Sequence, residues 1–251
     1  MPTYVITGAR GGIGLEYINQ ITKDPANTAV ALVRDLSADL SALDAIKSQR
    51  EAPLHILECD ISSQASISAL PDRLSAALGP AAKVDVLINN AATLQYTAQT
   101  SLTLDAPGLE VHMAANVLGP ARTLQVLLPF LTAEGEGEGE STTVAAVVAN
   151  IASGAGSMGW TFEGRIRPHL TPYSISKAAL NMLTLHQAKE LQGKGVVVVA
   201  IDPGHVKTAA GGPGATVEVE DSAGGVLGIL AGLGLEDAGR FFLYNGAEVP
   251  W

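Results

Sequence analysis

The residues best suited to chemistry in this 251-residue chain are Tyr173 and Lys177, in the run Tyr173-Ser174-Ile175-Ser176-Lys177. On a helix, positions i and i+4 share a face, so the phenol and the ammonium can converge on one point. An ammonium beside a phenol favours the phenolate, and the spacing predicts a Tyr173 more acidic than an ordinary tyrosine. Such a group can give a proton to a carbonyl oxygen or take one from an alcohol. Ser153, about twenty residues upstream, offers a further hydroxyl.

A second reactant is implied by the turn Thr7-Gly8-Ala9-Arg10-Gly11-Gly12-Ile13-Gly14, which follows a short apolar run at 3–6. Glycines there let the backbone turn tightly and approach a pyrophosphate, and the next helix presents its free N–H groups. The spacing Gly8-x-x-x-Gly12-x-Gly14 is longer than G-x-G-x-x-G, a variant of the dinucleotide pattern. The second strand ends Leu32-Val33-Arg34-Asp35. A carboxylate at that place binds a ribose 2′-hydroxyl, whereas an arginine accommodates a 2′-phosphate. Arg34 and Arg10 together suit a dianionic phosphate, which favours NADP(H). Asp35 keeps NAD(H) open as the lesser alternative, and Arg34 could instead pair with Asp35 or Asp39.

Asp60-Ile61 follows the third strand. Its carboxylate could accept from an adenine amino group or cap the following helix. Asn89-Asn90-Ala91-Ala92 closes the fourth strand. There the Asn90 amide can bridge strand ends, while Ala91 leaves room for a cofactor.

These groups need a scaffold, and the pattern supplies one. Apolar runs at 3–6, 28–33, 54–58, 84–88, 144–150, 196–201 and 240–243 alternate with helical stretches at 12–23, 38–50, 63–78, 104–131, 171–191 and 221–233. Near-continuous apolar strands separated by helices predict an α/β fold. It should be a single doubly wound Rossmann-type domain over 1–251, with a mostly parallel seven-stranded sheet and helices on both faces. Pro107 should lie near the start of the long helix, with Gly119-Pro120 as its kink. The Glu/Gly run at 134–140 has no apolar face and reads as a solvated loop. The glycine-rich stretch at about 209–220 reads as a substrate lid.

Composition narrows the partners. Net charge is −10 and 47% of residues are apolar. So acidic a chain is not expected to bind nucleic acid or anionic membranes through a basic surface. The one cysteine, Cys59, excludes an internal disulfide. No signal peptide pattern opens the sequence, and a cytoplasmic location is expected. The five histidines lack metal-site spacing, so no metal is expected.

Taken together, the motifs resemble the short-chain dehydrogenase/reductase family over essentially the whole chain. They are the turn at 7–14, Asp60-Ile61, Asn89-Asn90-Ala91-Ala92, Asn116 in Ala115-Asn116-Val117-Leu118-Gly119, Ser153 in Asn150-Ile151-Ala152-Ser153, Tyr173/Lys177, and Asp202-Pro203-Gly204-His205-Val206-Lys207-Thr208. Within the family the chain is most similar to C-factor and sniffer-type carbonyl reductases. It departs from the family pattern at Ala92, at Ala152 and at Gly11, where many NADP-using members carry a basic residue.

The resemblance implies a reversible reduction of a ketone or aldehyde by NADPH. Tyr173 would be the general acid/base, Lys177 would acidify it and bind the nicotinamide ribose, and Ser153 would polarise the carbonyl. Asn116 would hold a water that resupplies protons. Gly8, Arg10, Gly12, Ile13, Gly14, Arg34, Asp60, Ile61, Asn90, Ala91, Pro203, Gly204, Val206 and Thr208 would join Tyr173 and Lys177 around the cofactor. Trp160, Phe162 and His205 are candidates for the substrate pocket. By analogy a homodimer or homotetramer is expected. The alternative is a non-enzymatic NADP-binding regulatory or signalling protein on the same fold.

Overall fold

The structure is a computed structural model describing residues 1–95, 98–132 and 141–251. The expected Glu/Gly loop at 134–140 lies outside the described residues. Seven strands form one parallel sheet in the order β3-β2-β1-β4-β5-β6-β7. They are β1 (Thr3–Thr7), β2 (Thr28–Val33), β3 (Leu54–Glu58), β4 (Val86–Asn89), β5 (Ala146–Ile151), β6 (Val196–Asp202) and β7 (Phe241–Leu243). The helices are α1 (Gly12–Ile21), α2 (Ser41–Gln49), α3 (Gln64–Ser68), α4 (Leu70–Leu78), α5 (Ala106–Met113), α6 (Gly119–Leu131), α7 (Met158–Phe162), α8 (Thr171–Leu191) and α9 (Val219–Ala231).

Alternate residues along each strand face opposite sides, so one sheet builds two cores. Ile6, Ala31, Ile88, Ala149 and Val199 join Tyr17 and Ile18 of α1 and Val226 and Leu230 of α9 on one face. Val5, Leu32, Leu87, Val148 and Val198 join Leu74 of α4 and Leu124, Leu127 and Leu131 of α6 on the other. Burial on both faces explains why the strands read as unbroken Val, Ile and Ala runs.

The strand order reverses at β1, which pairs with β2 on one side and β4 on the other. A crevice must open there, beyond the carboxyl ends of the strands.

Two helices depart from expectation. The stretch at 63–78 is two helices, because α3 ends at Ala69 and Pro71 sits in the first turn of α4. The stretch at 104–131 changes winding at Ala114–Leu118, a π-helical turn in which the Gly119 N–H donates to the Ala114 carbonyl. Pro120 has no N–H to give the Asn116 carbonyl four residues back. The irregularity therefore begins before the expected Gly119-Pro120 kink, and it contains Asn116.

Candidate active site

The crevice at the switch point is a cavity of about 790 Å³. Its entrance is the turn after β1. Gly8 has φ +69°, and a side chain on it would strike Ala91 Cα at 2.9 Å. Gly14 does not line the cavity; a Cβ there would meet the Gly8 carbonyl oxygen at 2.4 Å, so it permits close packing of α1. Helix α1 starts after Gly11 with no side-chain cap and no acidic residue in its first turn. Its N–H groups and positive dipole end are thus left for an anion. Asn90 ties the strand ends, donating from Nδ2 to the Thr7 carbonyl at 3.0 Å.

Gly8, Arg10, Gly12, Ile13, Arg34, Asp60, Ile61, Asn90 and Ala91 line this part of the cavity. Among the described residues, neither Arg10 nor Arg34 belongs to an ion pair. The Asp35 carboxylate is occupied by the Ser37 N–H and hydroxyl, both at 2.7 Å, which hold it below the usual carboxylate range. Asp60 accepts from the Ser62 N–H at 2.9 Å and also lines the cavity. An open glycine turn, an uncapped helix start and two free guanidiniums fit a phosphorylated dinucleotide.

The other end is built on α8. Lys177 and Tyr173 both line the cavity, with the Lys177 Nζ 5.7 Å from the Tyr173 ring centroid. Lys177 is buried and donates to the Ile151 carbonyl at the end of β5 at 2.6 Å. Burial lowers its ammonium to about 8, opposed by the Asp202 carboxylate. Ser153 begins the 3₁₀ turn Gly154–Gly156, and its Oγ accepts from the Ala155 N–H at 3.1 Å.

The acidic Tyr173 expected from sequence is not found. Tyr173 keeps some exposure on its cavity side, but protein crowds the rest, and burial pushes the phenol up to about 12. The Ser153 side chain works in the opposite direction and Asp202 adds to the rise. The ammonium is committed to the Ile151 carbonyl, and desolvation dominates the phenol. His112 meets the Tyr173 ring edge-on at 6.1 Å.

Asn116 is buried within the π-turn. Its Oδ1 accepts from the Thr93 N–H at 2.7 Å, and its Nδ2 donates to the Thr93 carbonyl and the Ser176 hydroxyl, both at 3.0 Å. Its side chain is therefore a clamp between the loop after β4 and α8, and its backbone carbonyl is the group deprived of an ordinary helical donor.

Pro203 and Thr208 line the cavity, whereas Gly204 and Val206 do not. Gly204 has φ +82°, and a Cβ on it would meet the Tyr244 ring at 3.0 Å; Val206 bridges to Val217 at the base of the expected lid. The structure does not bring Trp160, Phe162 or His205 into this cavity. Trp160 lies over Gly154 and packs with a cluster that includes Phe241 and Val249, with the Arg165 guanidinium 5.3 Å from its ring. Phe162 is 94% exposed on α7. His205 Nε2 lies 2.7 Å from the Gly211 carbonyl and staples its own loop. For Trp160 and Phe162, nearness to Ser153 in sequence did not reveal which way each residue would face.

One residue left unassigned by sequence is Asp202, buried at the end of β6. A carboxylate at the carboxyl end of a parallel strand was the available signal.

A doubly wound sheet whose crevice is lined by an open glycine turn, Tyr173 and Lys177, with the Ser153 side chain acting on Tyr173 from outside the cavity lining, is the layout of an oxidoreductase. The family model for short chain dehydrogenase matches residues 2–215, and the chain belongs to that family. It is 37% identical over 168 residues to the C-signal of Myxococcus xanthus, covering 67% of this chain and 93% of that protein. The NADPH-bound carbonyl reductase from chicken fatty liver superimposes with a TM-score of 0.88 at 28% identity, covering 100% of this chain and 99% of that one. The carbonyl reductase Sniffer of D. melanogaster gives 0.88 at 24% identity, covering both chains fully, and speaks to the fold. Among the described residues no helix is long and apolar enough to cross a membrane.

Proposed function

We propose that the protein reduces a ketone or aldehyde carbonyl to an alcohol with NADPH, reversibly. The observation that carries this reading is one continuous cavity with Arg10 and Arg34 at one end and Tyr173 and Lys177 at the other. NADPH, when bound, supplies the hydride for the carbonyl carbon. The chain itself must orient the carbonyl, exclude water and deliver a proton to the oxygen. A phenol raised to about 12 stays protonated at neutral pH, the form an acid for reduction requires. Tyr173 donates this proton, and Ser153 shares the developing negative charge on the oxygen. Lys177, as an ammonium, favours the phenolate left behind. The Asn116 carbonyl offers an acceptor for a water on the route back to solvent.

At the other end, Arg10 and Arg34 hold the 2′-phosphate and select NADPH over NADH. The lid closes over the substrate. Its base is the Val206–Val217 bridge and the Lys207–Glu218 ion pair, and Thr208, Ala209 and Ala210 already border the cavity. The likeness to the carbonyl reductase from chicken fatty liver supports both the cofactor and the reaction.

A second reading, a dinucleotide-binding signalling protein without turnover, draws on the likeness to the C-signal. NADPH oxidation measured with a panel of aromatic aldehydes and diketones separates the two. Turnover supports the reductase. Tight NADPH binding with no turnover across the panel supports the signalling protein.

A further inference from the structure

His112 has no part in the mechanism above, yet it is fully buried and both of its ring nitrogens are engaged. Nδ1 lies 2.6 Å from the Gly108 carbonyl, one turn back on α5. Nε2 lies 3.2 Å from the backbone nitrogen of Gln95, in the loop after β4. These two partners place the proton. A carbonyl only accepts, so Nδ1 carries the hydrogen; a backbone N–H only donates, so Nε2 carries the lone pair. Each partner alone demands the same neutral tautomer, and the Gly108 carbonyl turns the bare nitrogen toward the loop.

The loop so held is a wall of the cavity. Thr93 and Leu94, directly before Gln95, line it. Asn116 stands one turn after His112 and accepts the Thr93 N–H at 2.7 Å. Two acceptors four residues apart on one helix face thus hold two N–H groups two residues apart in the chain. Farther along the loop, the Gln99 carbonyl accepts from the Thr171 N–H at 3.3 Å, at the start of α8. The same imidazole packs edge-on against the Tyr173 ring, with centroids 6.1 Å apart. The wall therefore stands at the Tyr173 end of the cavity, away from Arg10 and Arg34.

We propose that His112 is a positioning residue for the substrate: as the neutral Nδ1–H tautomer it holds the Thr93-Leu94 wall through the Gln95 N–H, and so sets the shape of the cavity beside Tyr173. The effect on substrate rests on the reductase reading. The tautomer and the loop contact can be measured without turnover.

The first test uses the wild-type protein labelled with ¹⁵N-histidine, with the ring signals assigned through the backbone of residue 112. At mildly alkaline pH, where an ordinary imidazole is neutral, the proton should be found on Nδ1 and Nε2 should be bare. A proton on Nε2 overturns the proposal, and this measurement needs no variant to fold. The second test reads exchange of the Gln95 amide with solvent deuterium. His112→Phe keeps a ring edge for Tyr173 and offers no acceptor, whereas His112→Gln brings an amide oxygen toward the place of Nε2. Exchange should quicken by about 5-fold or more in His112→Phe, as loss of one hydrogen bond requires, and return toward the wild-type rate in His112→Gln. An amide that exchanges alike in all three proteins overturns the proposal.

The kinetic arm compares KM for a carbonyl substrate, kcat, and the Kd for NADPH. In His112→Phe, KM should rise by about 5-fold or more while kcat and the Kd move less, and His112→Gln should recover most of the rise. A rise that His112→Gln leaves unrecovered, or an equal loss in the Kd for NADPH, counts against the proposal. A lower unfolding free energy with KM in place would mean that His112 serves packing alone, again against it. Absence of turnover in the wild type would sink the reductase reading, while the tautomer and the amide exchange still decide the contact.

Discussion

Asn116 and Ser176 meet across 3.0 Å, and Ser176 in turn donates to the Tyr173 carbonyl at 2.7 Å. The π-turn and the helix carrying Tyr173 and Lys177 are therefore joined through two fully buried polar side chains. Ser176→Ala removes the hydroxyl and leaves the Asn116 Nδ2 one partner short. A buried donor so treated costs about 1–3 kcal/mol. Denaturant unfolding should show that loss, and kcat should fall more than KM rises because α8 is no longer held in register. A variant as stable as the wild type would show that the pair does not stabilise the fold.

Tyr173→Phe tests the acid directly. The ring and its packing against His112 remain, and only the proton donor is lost. Positioned acid–base catalysis contributes about 10²–10⁴-fold, and kcat for reduction should fall within that range. NADPH affinity, followed by fluorescence titration, should stay within about a few-fold, since the hydroxyl supplies little of the cofactor contact.

Much of this fold was legible because its signals are local. The β1 turn needs glycine at Gly8 on steric grounds, and strands buried on both faces must be apolar throughout. The π-turn was not legible: the apolar periodicity runs straight through 104–131, and the change of winding depends on Pro120 and on tertiary bonds to Asn116. Nor was the state of Tyr173. Spacing places an amine near a phenol but says nothing of desolvation, which here dominates and outweighs the lowering by the Ser153 side chain. Asp202 was visible as a letter in a motif, whereas its bonds from the Gly154 and Gly204 N–H groups arise only when β6 and the Ser153 loop are brought together.

Arg34→Asp should change the cofactor preference. Losing a charge-assisted bond to phosphate removes about 1.5–3 kcal/mol, which corresponds to roughly 10–100-fold in kcat/KM for NADPH. The new carboxylate can accept from a ribose hydroxyl, so kcat/KM for NADH should rise or hold. An unchanged ratio of the two would leave Arg34 without the assigned role.

Lys177 also predicts a pH dependence of stability. Its amine is lowered from 10.5 to about 8 in the folded protein. Between those values the unfolded chain binds the proton that the folded chain has released, so stability attributable to this group rises with pH. Below about pH 8 the full cost of burying the ammonium is present. The difference in unfolding free energy, wild type minus Lys177→Met, should therefore climb from pH 8 to 10.5, by up to about 3 kcal/mol. A flat difference would mean that Lys177 titrates as an exposed lysine does.

Gly156→Ala probes the placement of Ser153 by sterics instead of charge. An added Cβ at 156 would lie 2.6 Å from the Lys177 carbonyl carbon and 2.8 Å from the Ala178 nitrogen, both backbone atoms that cannot step aside. Asn181 reinforces the contact, donating from Nδ2 to the Gly156 carbonyl at 3.2 Å. The methyl must push the 153–157 loop away from α8, and overpacking of this kind costs about 1–3 kcal/mol. Because Ser153 moves with the loop while the β1 turn and Arg34 do not, kcat should drop by about 10-fold or more and the Kd for NADPH should change little. Equal losses in both would place the damage in the whole crevice and not in the serine loop.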